Sequence, residues 1–73
     1  MIFPPREVVI SLCAQYPKGT RVRLTHMDDF QAPPIGTCGT VIGVDDAGSI
    51  LVNWDNGSHL NVAYNEDEVE VVG

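Results

Sequence analysis

Two spacings of apolar residues divide the chain into a short first part and a longer second part. In the first part, apolar side chains recur at the spacing that forms one face of a helix: Val8, Val9, Leu12, Cys13 and Tyr16. Pro4 or Pro5 suits the first turn of a helix, where a missing N–H leaves no hydrogen bond unmade, and Pro17 disfavours helical backbone at the preceding residue. The pattern predicts an amphipathic helix over residues 4–16.

From residue 20 onward, apolar and polar residues alternate, which is typical of half-buried strands. Turn-forming residues separate the alternating runs, and a proline-containing stretch without a period occupies residues 26–36. The pattern predicts five short strands, at residues 20–24, 37–44, 49–54, 58–63 and 69–72. A single tight turn is expected over residues 64–68.

Hydrophobic register selects the loop between the predicted third and fourth strands. A two-residue loop at the Asn-Gly pair would place polar residues opposite apolar ones. A three-residue loop over residues 55–57 instead pairs Val52 with Leu60 and Ile50 with Val62. The glycine that ends this loop then takes the left-handed backbone conformation that glycine tolerates best.

The same counting across the preceding hairpin places Val41 opposite Val52. It leaves a second apolar group on the other face of the sheet: Ile42, Val44 and Leu51. The helical stripe of Val8, Val9 and Leu12 is the available cover for that group. Five short strands, bent at glycines, are expected to close into a small β-barrel with the helix packed on one side.

Length and composition fit one small globular domain. The chain has 73 residues, of which 44% are hydrophobic and 19% are charged, and we expect a single domain over residues 1–73 with the barrel over residues 20–72. No apolar run approaches the roughly 18 residues that span a bilayer, and the N-terminus lacks the pattern of a signal peptide. A cytoplasmic protein is therefore expected.

Charge is unevenly distributed along the chain. The four basic residues all lie in the first 23 positions: Arg6, Lys18, Arg21 and Arg23. Residues 24–73 hold nine of the ten acidic residues and no Lys or Arg, so this segment carries a formal charge of −9. A field of that sign repels phosphate backbones, which argues against nucleic-acid binding, and it attracts a basic partner. The alternative is that the acidity serves solubility alone.

No arrangement of residues indicates catalysis. The serines lack the G-x-S-x-G elbow of a serine hydrolase, and His26 and His59 have no paired base in the sequence. Metal binding beside His26 is an alternative, but the acidic residues do not follow the spacing of a calcium loop. Cys13 and Cys38 are expected to be free thiols rather than a disulfide or a metal pair. The sequence predicts a non-enzymatic protein with no metal or other cofactor.

Three segments, which with the helix span nearly the whole chain, resemble a known family: GTRVRL, DDFQAPPIGTCGTV and DDAGSILVNWDNGSHLNV. They are similar to small bacterial and phage-borne proteins grouped as a domain of unknown function, number 4314. A G-T-x-G-x-V strand and a V-x-W-D-x-G hairpin show a more distant similarity to mind-bomb/HERC-type domains and other SH3-like modules. These resemblances imply an SH3-like barrel and a setting in phages, plasmids and other mobile elements, but no activity.

An SH3-like barrel, as the resemblance implies, brings its long first loop, its second turn and the turn before its last strand along one edge. The residues at these positions combine acids with aromatic side chains: Asp28, Asp29, Phe30, Asp45, Asp46, Tyr64, Glu66 and Asp67. Such a surface suits a basic peptide, because charge steers the encounter and an aromatic ring stacks on a guanidinium. As an alternative, Phe30 plugs the end of the barrel. Trp54 is expected in the core.

The leading functional hypothesis is an acidic binding module that docks on a basic protein in the bacterial cytoplasm. The family setting suggests an inhibitor of a host nucleic-acid-binding or defence enzyme, in the manner of anti-CRISPR proteins that mimic nucleic acid. The alternative is a small-ligand module, or an oligomeric sponge, that holds a nucleotide through Arg21 and Arg23. Direct binding of nucleic acid is disfavoured by the shortage of basic residues, and no membrane partner is expected. The oligomeric state is open.

Overall fold

The computed structural model describes residues 4–73. One helix, α1 (Arg6–Gln15), precedes five strands that form a single antiparallel sheet. The strands are β1 (Arg21–His26), β2 (Cys38–Val44), β3 (Ser49–Trp54), β4 (Val62–Ala63) and β5 (Glu68–Val71). Their order is β4-β3-β2-β1-β5, so successive strands are neighbours until β5 returns to the far side of β1. The predicted mainly β architecture with one N-terminal helix is confirmed.

Helix α1 begins after Pro5, which occupies the N-cap position. The Tyr16 N–H still donates to the Leu12 carbonyl at 2.8 Å, and the helix ends before Pro17. Leu12 and Tyr16 pack against the core of the sheet. Cys13, by contrast, is exposed. The predicted helix is confirmed, but Cys13 does not belong to its buried side.

Among residues 4–73, seven hydrophobic residues are buried and form the core: Val22, Leu24, Val41, Ile50, Val52, Trp54 and Val62. In β1 and β3 they occupy alternate positions, as expected when successive side chains of a strand point to opposite faces. Burying a side chain of this size stabilises a fold by roughly 1.5–3 kcal/mol. The core therefore depends on the two-residue period that the sequence displays.

The β2–β3 hairpin follows the predicted register at one end and departs from it at the other. Val41 pairs with Val52 as predicted, but a β-bulge follows, after which Val44 pairs with Ile50. A bulge adds one residue to one strand and thereby shifts the alternation. Val44 consequently packs against the core, and Ile42 is 53% exposed. The prediction that Val44 lies on the opposite face with Ile42 was wrong because it assumed uninterrupted alternation.

The loop after β3 has the predicted three residues. The Gly57 N–H donates to the Trp54 carbonyl at 3.0 Å, and Gly57 has a φ of +88°. The expected pairing of Ile50 with Val62 is confirmed. The predicted strand over residues 58–63 is shorter, however, because only its last two residues pair with β3.

Trp54 accounts for the shortened strand. Its indole N–H donates to the Leu60 carbonyl at 2.7 Å, so a side chain takes the place of a backbone partner at this point. The segment that precedes β4 is thus attached to β3 by the indole and by one backbone hydrogen bond, from the Trp54 N–H to the Ser58 carbonyl at 3.4 Å, instead of by a ladder. The predicted pairing of Val52 with Leu60 is not part of the β3–β4 register.

Strand β5 pairs with β1 and forms the second edge of the sheet. It follows a tight turn after Ala63, in which Asn65 has a φ of +66°. Within residues 4–73, no helix is long and apolar enough to cross a membrane. The expectation about a signal peptide concerns the N-terminus, of which Met1–Phe3 lie outside the described residues.

Candidate functional site

Two of the three predicted groups of site residues lie side by side. Ser49 at the start of β3 pairs with Ala63 at the end of β4, so the turns that flank these strands are adjacent. A Cβ atom placed on Gly48 would lie 3.3 Å from the Cβ of Tyr64. The structure thus brings the turn that contains Asp45 and Asp46 next to the turn that contains Tyr64, Glu66 and Asp67.

The third group, Asp28, Asp29 and Phe30, belongs to the long loop between β1 and β2. Hydrogen bonds between Leu24 and residues 36–37 close the base of this loop. The loop leads into the start of β2, whereas Asp45 follows its end. The length of β2, about 20 Å, therefore separates these two attachment points.

The loop begins, however, close to the turn that precedes β5. His26 at the end of β1 pairs with Glu68 at the start of β5. The turn over residues 64–67 consequently runs from the neighbourhood of the β2–β3 turn to the neighbourhood of the long loop. It occupies the centre of the predicted surface.

Several of the predicted aspartates have a structural role in their own turns. Asp45 Oδ1 accepts the N–H groups of Ala47 and Ser49 at 3.0 and 2.8 Å. Asp67 Oδ2 accepts the Ala63 N–H at 2.8 Å. Asp29 Oδ1 similarly accepts from the backbone two residues later. Aspartate is favoured in turns because its short side chain reaches nearby backbone donors, so these carboxylates are fixed in place with one oxygen engaged.

The aromatic residues of the predicted site differ from one another. Phe30 is 97% exposed, so the alternative that it plugs the end of the barrel is wrong. Tyr64 is 42% exposed and lies beside Gly48. Trp54, which was predicted for the core, is 2% exposed. Two aromatic side chains of the predicted surface are therefore accessible, at different turns.

The two arginines of β1 are both engaged by carboxylates. Arg21 donates to both oxygens of Asp55, at 2.9 and 2.6 Å, and also to the Thr40 hydroxyl at 3.0 Å. The hydrogen bond between the pair raises the pKa of Arg21 and lowers the pKa of Asp55. Arg23 forms a salt bridge with Glu70 across the β1–β5 pair. Both guanidinium groups are thus compensated within the domain.

A groove that the sequence did not indicate lies beside the central turn. It has a volume of about 370 Å³ and is bordered by Leu12 and Tyr16 of the helical segment and by Val69 of β5. A polar basin of about 510 Å³ adjoins it and contains Glu66 and His26. Leu12 and Tyr16 belong to the apolar stripe that predicted the helix. No local pattern in the sequence shows that these residues lie beside β5.

Within residues 4–73, no group of three or more His, Cys, Asp or Glu side chains is placed to hold a metal ion. Cys13 is exposed on the helix and Cys38 is half-buried at the start of β2. The described surface combines exposed carboxylates, two accessible aromatic rings and a shallow groove.

Fold and surface together define a small, acidic, mainly β domain with an N-terminal helix. The chain belongs to the family described as Domain of unknown function (DUF4314), whose sequence profile matches residues 5–72. No curated protein and no solved structure matches the chain.

Proposed function

We propose that this domain is a non-enzymatic binding module that presents an acidic surface to a basic protein or peptide. The observation that carries the proposal is the pairing of Arg21 with Asp55 and of Arg23 with Glu70. These pairs use the two arginines of β1, and none of the other acidic side chains that follow β1 takes part in a salt bridge within residues 4–73. They are Asp28, Asp29, Asp45, Asp46, Glu66, Asp67 and Glu68.

The placement of these acids supports a docking role more than a purely solubilising one. Asp45 and Asp67 are held by backbone hydrogen bonds and flank the pair of Ser49 with Ala63. Fixed carboxylates lose little conformational entropy when a partner binds, which favours affinity. Tyr64 belongs to the second of these turns, lies beside Gly48 of the first, and adds a surface on which a guanidinium group stacks.

We further infer that the sheet is rolled into a small SH3-like barrel. The single turn over residues 64–67 joins β4 at one edge of the sheet to β5 at the other edge. Residues of both edge strands, among them Val62 and Val69, line the same groove. A flat five-stranded sheet would hold its edges about 19 Å apart, since neighbouring strands lie roughly 4.8 Å from each other.

The resemblance to phage- and plasmid-borne proteins suggests where such a module acts. In that setting, a basic partner in the bacterial cytoplasm is a nucleic-acid-binding or defence enzyme of the host. Carboxylates placed where the enzyme expects phosphates would block its nucleic-acid site. The domain would then inhibit the enzyme by mimicry, as some anti-CRISPR proteins do.

The alternative of a nucleotide-binding module, or an oligomeric sponge, has less support. A phosphate held by Arg21 or Arg23 would have to displace Asp55 or Glu70. The surrounding negative charge opposes such an exchange. A nucleotide that raised the melting temperature of the protein would favour this alternative, since a ligand that binds only the folded state stabilises it.

The proposal is tested by comparing which host proteins the wild type and two variants retain on an affinity column. The first variant reverses four charges: Asp28→Lys, Asp46→Lys, Glu66→Lys and Glu68→Lys. These side chains are exposed and accept no hydrogen bond that stabilises a turn, so the fold should persist. A basic partner retained by the wild type should be lost.

The matched control keeps the charge at the same positions: Asp28→Glu, Asp46→Glu, Glu66→Asp and Glu68→Asp. It should retain the same basic protein, and the retention should weaken as salt is added. Retention of the same proteins by the charge-reversed variant, with its fold verified by circular dichroism, would rule out the proposed function.

A further inference from the structure

A groove with both apolar and polar lining opens where the end of helix α1 meets the two edge strands of the sheet. Its lining includes hydrophobic side chains of the helix and of three strands: Leu12, Ile50, Val62 and Val69. Tyr16 and Tyr64 also border it. With a volume of about 370 Å³, it lies at the lower end of the size range of ligand sites. A single long side chain therefore suits it better than a folded ligand.

At one end this groove becomes acidic. Asn65, Asp67 and Glu68 line both the groove and the adjoining polar basin, in which Glu66 and His26 also lie. One oxygen of Asp67 accepts the Ala63 N–H, which leaves the other oxygen for a ligand. Among the described residues, neither Asp67 nor Glu68 takes part in a salt bridge.

We propose that this groove receives one arginine side chain of the basic partner, an inference that rests on the proposed function. The aliphatic stem of the arginine lies along Leu12 and Val69, as the stems of long basic side chains commonly cover apolar surface. The guanidinium group reaches the acidic end. There it donates to Asp67 and Glu68 and stacks beside Tyr64.

Charge complementarity decides this choice of occupant. A purely aliphatic ligand would cover the apolar lining but would desolvate Asp67 and Glu68 without a partner, which is unfavourable. A phosphate or a carboxylate would be repelled. Arginine is favoured over lysine because its planar group donates to two carboxylates and stacks on an aromatic ring at the same time.

The first experiment is a titration of the ¹⁵N-labelled protein with N-acetyl-arginine amide, followed by NMR. N-acetyl-citrulline amide, which has nearly the same shape but no charge, is the matched control ligand. Arginine should shift the amide signals of Asn65, Glu68 and Val69, and citrulline should not. Equal shifts with both ligands, or arginine-dependent shifts confined to the loop that contains Asp28, would overturn the proposal.

The second experiment separates the groove from a general attraction by charge. Glu68→Gln and Glu7→Gln each remove one negative charge from an exposed residue, but only Glu68 lines the groove. Glu68→Gln should weaken the binding of N-acetyl-arginine amide about threefold, in line with an exposed ion pair, and Glu7→Gln should leave it nearly unchanged.

Equal weakening by the two substitutions would overturn the groove proposal and leave the proposed function standing. The proposed function fails by a different result, namely unchanged retention of host proteins by the charge-reversed variant. The two failures are therefore distinguishable.

Discussion

The β2–β3 hairpin and the segment that follows it, residues 58–67, are held together in different ways. In the hairpin, backbone pairs run from Gly39 with Trp54 to Val44 with Ile50, interrupted by one bulge. In the following segment, only two residues pair with β3, and the rest is held by single hydrogen bonds, among them those of the Trp54 indole and of the Asp67 carboxylate. The hairpin is fixed mainly by its ladder, and the later segment depends on a few individual hydrogen bonds.

This difference separates the ladder-paired part of the fold from the segment that carries part of the candidate site. Backbone pairs in the hairpin reinforce one another, and Val41 and Val52 are buried between them. The later segment carries Tyr64 and Asp67, which belong to the candidate site. A segment held by few bonds opens locally at a lower free energy than a ladder does. We therefore expect the hairpin to set the global stability and the later segment to set the shape of the binding surface.

The largest effect is expected from Gly39→Ala in the hairpin. An added Cβ would lie 2.6 Å from Cγ1 of Val52 and 2.9 Å from Cε3 of Trp54, and both side chains are buried. Because these neighbours have no room to move, the free energy of unfolding should fall by about 3 kcal/mol. Urea denaturation followed by tryptophan fluorescence measures the change.

Gly43→Ala is the matched control in the same strand. The nearest atom to its added Cβ is Cδ1 of Leu51, at 3.9 Å, which is ordinary contact. This substitution should change the free energy of unfolding by less than about 1 kcal/mol. An equal loss in both variants would show that glycine flexibility, and not close packing against Trp54, explains the effect at Gly39.

Trp54→Phe tests the attachment of the later segment, and its effect should be smaller. Phenylalanine keeps the aromatic ring in the core but removes the donor that binds the Leu60 carbonyl. Loss of this bond and of part of the ring volume should lower the free energy of unfolding by about 2 kcal/mol. Hydrogen exchange should accelerate more at residues 58–63 than in β2. Uniform acceleration across the sheet would contradict the division into two regions.

The extent to which the fold was predictable from the sequence follows the same division. Alternation in β1 and β3 predicted their buried residues, and hydrophobic register selected the three-residue loop over residues 55–57. The bulge at Ile42 was not predictable, because a single inserted residue leaves the apolar pattern of that short strand equally consistent with two registers. The length of β4 was not predictable either, since it depends on where the indole of Trp54 points.

The candidate site was less predictable than the fold. Turn chemistry located Asp45 and Asp67 in turns, but it did not show that each is engaged by its own backbone. The groove beside Leu12 and Val69 arises only when the helix and the last strand meet. The residues that form this groove are far apart in the chain, so local sequence patterns do not predict it.

Substitution of Asn65, which lies in the later segment, should have a smaller effect on the free energy of unfolding. Its φ of +66° is a left-handed conformation that asparagine tolerates better than most residues and glycine tolerates best. Asn65→Ala should lower the free energy of unfolding by about 1 kcal/mol, and Asn65→Gly should leave it nearly unchanged. Urea denaturation of the two variants measures this difference. If both were equally destabilised, a side-chain contact of Asn65, and not its backbone conformation, would be the cause.

The smallest effect is expected at Asp55, in the loop that joins the two regions. Arg21 lowers the pKa of Asp55 through a side-chain hydrogen bond. A carboxyl group whose pKa is lowered by folding stabilises the protein above its unfolded pKa of about 4, and this stabilisation is lost as the pH falls through the lowered value. Asp55→Asn should therefore reduce the urea midpoint at neutral pH, and wild type and variant should converge in acid. Asp46→Asn removes the same charge from an exposed residue outside any salt bridge within residues 4–73, and it should leave the urea midpoint at neutral pH nearly unchanged. If the urea midpoints of wild type and Asp55→Asn still differed in acid, the ion pair with Arg21 would not be the cause of the lost stability.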